Sequence, residues 1–382
     1  MNSFSTAHRE VNLEKHIVDY LCVHGWQVGD PALYDRERAL YPEDVTAWLR
    51  ASQPEAWERL ERSHGAGVEE RILSRLARAL DSSEHGVVSV LRHGFDVAGA
   101  GKLRMAAPRP EDRRNEQVLE QYEANILRVV PQLKYSLVNE NSIDLVFFIN
   151  GLPVATAELK TDFTQSVEAA KQQYKRDRKP KNVKGRSEPL LVSKRGAVVH
   201  FAMSDSEIYM TTKLAGPNTF FLPFNKGNNG GAGNAPNPAG YPVSYFWEEV
   251  LQRDNWLRIF QQFVFVEVDQ KEDATGRATT TETLIFPRYH QWDAVTEIVG
   301  AVREEGPGRP YLVAHSAGSG KTKTITWLAH ELIRIRNEQG EAYFDSVILV
   351  TDRRVLDQQL QKAIQQLDNQ QGVVATISDK AG

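Results

Sequence analysis

The sequence predicts an α/β chain: a mixed sheet flanked by helices, then an incomplete parallel α/β domain. Residues 143–160, IDLVFFINGLPVATAELK, form two apolar runs joined by Asn150-Gly151. Asn-Gly between apolar runs signals a β-hairpin, because a type I′ turn needs positive φ at both central residues. Residues 311–335, YLVAHSAGSGKTKTITWLAHELIRI, read as a strand, a glycine-rich loop and a helix. Elsewhere, segments with apolar residues at helical spacing alternate with short apolar runs, the pattern of layered α/β folds.

A chain of 382 residues is long for one core, so two or three domains are expected. With 41% hydrophobic residues, 25% charged residues and a net charge of −4, the composition is that of a globular protein. No apolar run is long enough for a membrane span and the N-terminus lacks a signal-peptide core, so no membrane partner is expected. The single cysteine, Cys22, excludes an intrachain disulfide and a cysteine-rich zinc module, and fits a reducing cytoplasm. Mild overall acidity does not exclude nucleic acid, since local patches decide that.

In chain order, Leu13, Ile17, Val18 and Leu21 predict a helix over residues 11–24, with Glu14 on its polar side. Gly25 ends it, and residues 26–41 read as irregular. Helices are expected over 44–62, 69–80 and 116–130, and a strand over 86–91. After the hairpin, Thr164 or Gln165 would begin a helix with Val167, Ala170 and Tyr174 on one face. Residues 171–186 hold eight Lys or Arg and one acid, Asp177. Lys171, Lys175, Arg176, Arg178, Lys179 and Lys181 are the candidates there for contact with DNA phosphates, a solvated charged face being the plainer reading. The runs LLV, AVVHFAM and IYM within 190–210 extend the sheet. Residues 225–240 form a Gly/Asn/Pro-rich loop that cannot bury a core, and an aromatic-rich helix follows at 245–263. The polar stretch 270–283 reads as a linker between domains at 1–269 and 284–382.

The ends of the hairpin carry charge. Antiparallel pairing about residues 150 and 151 places Asp144 opposite roughly residue 157, so Asp144 and Glu158 meet across the ladder. Lys160, two residues after Glu158, projects from the same face. Two carboxylates and an amine suit a magnesium-dependent phosphodiesterase: Mg²⁺ takes one or two carboxylates and completes its octahedron with water and phosphate. The ion activates a water, and an ammonium beside it orients that water and steadies the transition state. Glu158-Leu159-Lys160 is the one Glu-x-Lys in the chain. It ends an apolar strand instead of lying on a solvated helix, which raises the catalytic reading to a level with the plainer one, a surface hairpin with a salt bridge.

The second centre is the loop Gly318-Ser319-Gly320-Lys321-Thr322. Such glycines let backbone N–H groups curl around a β-phosphate, and the following helix N-terminus adds positive potential. Lys321 would reach the β- and γ-phosphates and Thr322 would ligate Mg²⁺. His315 stands where the strict pattern has glycine. An apolar strand at 347–351, followed by a helix with Leu356 and Leu360, points to a RecA-like parallel sheet. Gln291 precedes the loop. A glutamine there can read N6 and N7 of adenine, making ATP the nucleotide, or it is an ordinary surface side chain.

With both centres in view, the chain resembles the restriction (R, HsdR-type) subunit of type I restriction enzymes. The likeness is clearest in SIDLVFFINGLPVATAELK, VHFAMSDSEIYMTTKLAGPNTFFLPFNKG, FPRYHQW, HSAGSGKT and VTDRRVLDQQL. It implies a PD-(D/E)xK endonuclease domain joined to a superfamily-2 ATPase motor, acting on unmodified double-stranded DNA. Methyltransferase and specificity subunits are the implied partners. By the resemblance Asp144 and Glu158 bind Mg²⁺ and Lys160 acts at the water; Glu14 from the first helix is a candidate to join the metal site, a solvated helix glutamate being the plainer reading. Gln172 or Gln173, with Tyr174, fills the supporting Q-x-x-x-Y arrangement. Gln291 falls in the adenine-reading motif, Lys321 and Thr322 in motif I, and residues 351–360 in the DNA-contacting motif that follows. The chain stops at Gly382 without an acidic box or a second RecA-like lobe, so a fragment that binds ATP weakly and does not translocate DNA is expected. The alternatives are a non-catalytic truncated R subunit that only binds DNA or partner subunits, and a related helicase–nuclease.

Overall fold

The computed structural model describes residues 3–82, 86–110, 114–162, 166–272, 278–351 and 360–364. The chain divides into two compact units, Met1–Pro110 with Asn115–Gln261, and Glu111–Arg114 with Gln262–Gly382.

The first unit begins with α1 (Ser3–Val23), which buries Leu13, Ile17 and Leu21 as its spacing predicts. A short strand β1 (Gln27–Val28) follows. The helical run expected over 44–62 is two helices, α2 (Pro42–Ser52) and α3 (Pro54–His64), because Pro54 forces Gln53 out of the helical region (φ −142°, ψ 56°). Next come α4 (Val68–Ser82) and α5 (Val87–His93). The latter replaces the strand expected at 86–91. Val87, Val88, Val90 and Leu91 are all buried, and a continuous apolar run does not distinguish a buried helix from a strand. Glycines with positive φ at both ends, Gly86 and Gly94, delimit the helix.

A small hairpin, β2 (Phe95–Val97) with β3 (Gly101–Leu103), precedes α6 (Glu116–Glu123). The expected helix to residue 130 ends early. Asn125 is buried and its amide bonds to the carbonyls of Tyr122 and Ala107, after which β4 (Leu127–Lys134) enters the sheet with Leu127, Val129 and Val130 buried. The predicted hairpin is β5 (Ser142–Ile149) and β6 (Leu152–Leu159). Helix α7 (Val167–Asp177) follows; Thr164 and Gln165, expected at its start, lie outside the described residues. Strands β7 (Val199–Met203), β8 (Ile208–Thr211) and β9 (Leu222–Pro223) complete a seven-stranded mixed sheet in the order β1-β4-β5-β6-β7-β8-β9. β1 runs parallel to β4 and β6 parallel to β7, the other pairs being antiparallel. LLV at 190–192 is a turn, not a strand, although Leu190 and Leu191 are buried. The expected aromatic helix over 245–263 is broken into segments that include α8 (Arg253–Arg258).

Each face of this sheet is covered. Phe147 packs against Trp26, Phe246 and Trp256 on one side. On the other, Val130, Val146, Phe148 and Ala202 join Ala170 and Tyr174 of α7 in a continuous apolar cluster.

In the second unit, the polar stretch taken as a linker carries strands: β10 (Phe265–Glu272) pairs antiparallel with β11 (Ala278–Ile285). Helices α9 (Tyr289–Glu305) and α10 (Lys321–Leu332) follow. The Trp327 indole donates to the Phe263 carbonyl at 2.9 Å and packs on Phe263 and Phe265. The RecA-like parallel sheet expected here is not formed among the described residues. Neither 311–315 nor 347–351 joins a ladder, and Leu312 and Val350 are 92% and 91% exposed. A parallel strand is stable when both faces are covered, and these runs find no such cover.

The hairpin tip is itself packed. Gly151 has φ +81°, and a Cβ there would stand 2.5 Å from the Tyr41 carbonyl oxygen and from Val45 Cγ2. Gly151→Ala is therefore expected to destabilise the first unit by about 1–3 kcal/mol, from backbone strain plus the clash, read as a lowered urea midpoint.

Candidate active site

The site grows out of the turn. Asn150 (φ +50°) and Gly151 (φ +81°) both adopt the positive φ that a type I′ turn requires. The Asn150 side chain is buried. Its Nδ2 donates to the Met105 carbonyl and Asn125 Oδ1, and its Oδ1 accepts from the Ile126 N–H. From this anchor the ladder starts as Ile149 with Leu152 and Phe148 with Pro153, then shifts to Phe147 with Ala155. Val154 is the extra residue of a β-bulge.

That bulge corrects the expected register. Without it Asp144 would face residue 157, and Glu158 would project from the opposite side of the sheet, because a one-residue slip turns every side chain over. With it the ladder reaches Leu145 opposite Ala157, and one step further sets Asp144 across from Glu158 on the same face. The Leu159 N–H donates to Asp144 Oδ2 at 2.8 Å, which fastens the carboxylate to the neighbouring strand.

Gln132 of β4 lies on the other side of Asp144, with φ +49°. Its Nε2 donates to Asp144 Oδ1 at 3.2 Å and to Glu14 Oε2 at 2.6 Å. Helix α1 thus brings Glu14 to within one glutamine of Asp144, and sequence reading passed over that glutamine. One turn earlier on α1, Glu10 pairs with Lys160, Oε2 to Nζ 3.5 Å, and its Oε1 is buried without a hydrogen-bond partner among the described residues. The i, i+4 spacing of Glu10 and Glu14, visible in the sequence, is the signal that could have found both.

Glu158 is fully buried. Its Oε1 accepts from Arg178 Nε at 2.5 Å, and its Oε2 has no hydrogen-bond partner among the described residues. Burial and the nearby Asp144 carboxylate push its pKa up to about 8, against the lowering pull of Arg178 and Lys160. Burial likewise raises Glu14, with Asp144 adding to the rise and the Gln132 amide opposing it. Three acids therefore converge with incompletely compensated charge. Among the described residues no group of three or more His, Cys, Asp or Glu is arranged to hold a metal ion; Asp144 and Glu158 face each other as a pair of hard oxygen donors of the kind Mg²⁺ takes, with Glu14 behind Gln132.

Helix α7 supports the site from one layer away. The Tyr174 hydroxyl bonds to Thr156 Oγ1 at 2.7 Å, and Thr156 Oγ1 bonds to His200 Nδ1 at 2.8 Å. Burial pushes His200 down to about 3, so it is neutral. Gln172 bonds back along its helix to Glu168 and Gln173 is half-buried; the side chain laid on Glu158 is that of Arg178, the residue after α7. Arg178, expected to face DNA, is thus buried instead. Of the other expected cations, Lys171 sits 3.2 Å from the centre of the Tyr209 ring and pairs with Glu168, and Lys175 is half-buried. Arg176, Lys179 and Lys181 are exposed.

In the second unit, Gly318 and Gly320 have φ of +76° and +83° ahead of α10. Lys321 Nζ donates to the carbonyls of His315 and Ser316 at 2.8 and 2.9 Å, so its charge rests on the loop's own backbone. Ser319 Oγ is buried with no partner among the described residues, and Thr322 is half-buried. Gln291 is neither a surface glutamine nor free to read a base. Its Oε1 accepts from the Arg288 N–H, and its Nε2 donates to the carbonyls of Ser319 and Gly320, each at 3.1 Å. The DNA-contacting segment expected at 351–360 lies almost wholly outside the described residues.

A family model of the type I restriction enzyme R protein N terminus matches residues 8–219, more than half of the chain. The chain belongs to that family. The matched span of this R-protein N terminus contains Glu10, Glu14, Gln132, Asp144, Glu158, Lys160, Tyr174 and Arg178. A SWI2/SNF2 ATPase model matches residues 290–380, which include Gln291 and the glycine loop. The chain is 28% identical over 263 residues to the putative type I restriction enzyme MjaVIIIP endonuclease subunit of Methanocaldococcus jannaschii. That match covers 65% of the chain and 22% of the relative, so the chain spans about a fifth of the relative's length. Among the described residues no helix is long and apolar enough to cross a membrane.

The raised Glu158 gives a pH test. An acid whose folded pKa lies above its ordinary 4.5 contributes stability that is complete below 4.5 and is lost as pH rises through about 8. Urea midpoints of the protein are expected to fall across that interval. Glu158→Gln, which cannot ionise, is expected to flatten the fall.

Proposed function

We propose that the first unit is a Mg²⁺-dependent endonuclease domain that cuts phosphodiester bonds of unmodified double-stranded DNA. It would act within a type I restriction enzyme whose methyltransferase and specificity subunits choose the DNA. The second unit would supply the nucleotide loop of an ATP-driven motor. The observation that carries the reading is the bulge-set register: it brings Asp144 and Glu158 to one face, with a buried, unbonded Glu158 oxygen and Lys160 two residues on.

Asp144 and Glu158 would hold the ion, which when bound lowers the pKa of a water nucleophile and neutralises charge on the phosphate. The protein's own side chains do the rest. The Leu159 N–H and Gln132 fix the Asp144 carboxylate, so little reorganisation is left for the reaction. Lys160 presents a positive charge to the phosphate and the attacking water, and Glu10 holds it there. Glu14 adds negative charge behind Gln132. The exposed Arg176, Lys179 and Lys181 meet phosphates along the duplex. In the second unit the positive-φ glycines, the α10 N-terminus and the Lys321 ammonium fit the phosphates of ATP. Gln291 would hold that loop in shape from behind.

Plasmid incubated with Mg²⁺ and the protein, alone and with methyltransferase and specificity subunits, is expected to be nicked. Asp144→Asn and Lys160→Ala should each reduce cutting by roughly a hundredfold or more while keeping the far-UV spectrum. Parent-like cutting by both would show that the centre lies elsewhere. Lys179→Glu with Lys181→Glu should weaken binding to any duplex sequence and flatten the plot of log affinity against log salt by about one per lysine. An unchanged slope would remove these lysines from the DNA path.

A further inference from the structure

The nuclease reading leaves without a role the buried charge that touches Glu158. Arg178 follows the last residue of α7, and its side chain is 8% exposed. Its Nε holds Glu158 Oε1 at 2.5 Å, and its guanidinium lies 5.8 Å from the centre of the Tyr135 ring. The Tyr135 hydroxyl donates in turn to the Asp177 carbonyl at 3.2 Å, so the ring and the end of α7 are tied together around the arginine. Of the two Glu158 oxygens one is therefore occupied, and the other, Oε2, is buried and unbonded among the described residues. Asp144 differs: both its oxygens accept a hydrogen bond from a neutral donor, Oδ2 from the Leu159 N–H at 2.8 Å and Oδ1 from Gln132 Nε2 at 3.2 Å.

We propose that Arg178 sets the denticity of Glu158. By occupying Oε1 it leaves a single oxygen for a divalent cation, and so selects Mg²⁺ over Ca²⁺. The inference rests on the reading of Asp144 and Glu158 as metal ligands. Mg²⁺ requires a near-ideal octahedron and accepts single carboxylate oxygens, whereas Ca²⁺ takes six to eight oxygens and gains from carboxylates that bind through both. A guanidinium suits the task, because it stays charged at any working pH and keeps its donors in a rigid plane. Arg178 touches no reacting atom, and acts as a positioning residue through Glu158.

Calorimetric titration of the full chain with magnesium chloride and with calcium chloride tests this without reference to cleavage. The parent is expected to bind Mg²⁺ more tightly than Ca²⁺. In Arg178→Met, Oε1 becomes available and the Mg²⁺-to-Ca²⁺ affinity ratio should shift toward Ca²⁺ by about tenfold, the scale of losing a partner that orients a metal ligand. Arg178→Lys, which retains a cationic donor, should recover most of the parent ratio. A purely structural arginine would weaken both ions by one factor, and an unchanged ratio in folded Arg178→Met overturns the inference alone. The parent gives a test that does not depend on that variant folding: tighter binding of Ca²⁺ than of Mg²⁺ also overturns it. Absence of heat with either ion in the parent overturns the metal-site reading and this inference together.

Discussion

One inserted residue governs the geometry of the first unit. The side chains of a β-strand alternate, so the face on which a residue lands is a matter of parity alone. Val154 changes that parity between the turn and the far end of the hairpin. Downstream of it, Thr156 and Glu158 share a face with Asp144, and α7 lies over that face through Tyr174 and Arg178. Phe147 is left free to fill the opposite face among Trp26, Phe246 and Trp256. Without the shift Glu158 would project toward the face that holds those aromatic rings.

Holding acids together at low solvent exposure is unfavourable unless something compensates. Three devices are visible. Gln132 spans Glu14 and Asp144 with one amide nitrogen. The Leu159 N–H fixes Asp144, and Arg178 and Lys160 bring positive charge near Glu158. Even so Glu158 keeps an affinity for protons far above that of a solvated carboxylate. Perturbed acids of this kind gather where a site is shaped for a cation or for proton transfer. The buried Thr156, Tyr174 and His200 chain beneath them is neutral and linked by hydrogen bonds, which suits a scaffold.

Much of this was legible in the residues. Asn150-Gly151 announced the hairpin, and its charged ends, Asp144 at the start of the first strand and Glu158 and Lys160 at the end of the second, drew attention to that face. What could not be read was the bulge, since nothing in LPVATAELK marks Val154 as the extra residue. Simple pairing nonetheless brought the two acids together, for a reason that would have put them on opposite faces. The apolar run at 87–91 misled because buried helices and buried strands share that composition. Arg178 misled because it stands in a basic stretch, while its destination depends on where α7 ends. The expected parallel sheet in the second unit rested on local strand signals, and local signals say nothing about whether neighbours exist to pair with.

The acidic centre is built from residues far apart along the chain. Glu10 and Lys160 are 150 positions apart, and Glu14 and Gln132 are 118 apart. During synthesis the helix bearing the two glutamates leaves the ribosome first and must wait for the strands that complete its surroundings, while Arg178 emerges later still. Partially made protein therefore carries these groups scattered, and they come together only once the sheet has closed. A nascent or proteolysed chain lacking any one of these segments has no assembled acidic centre.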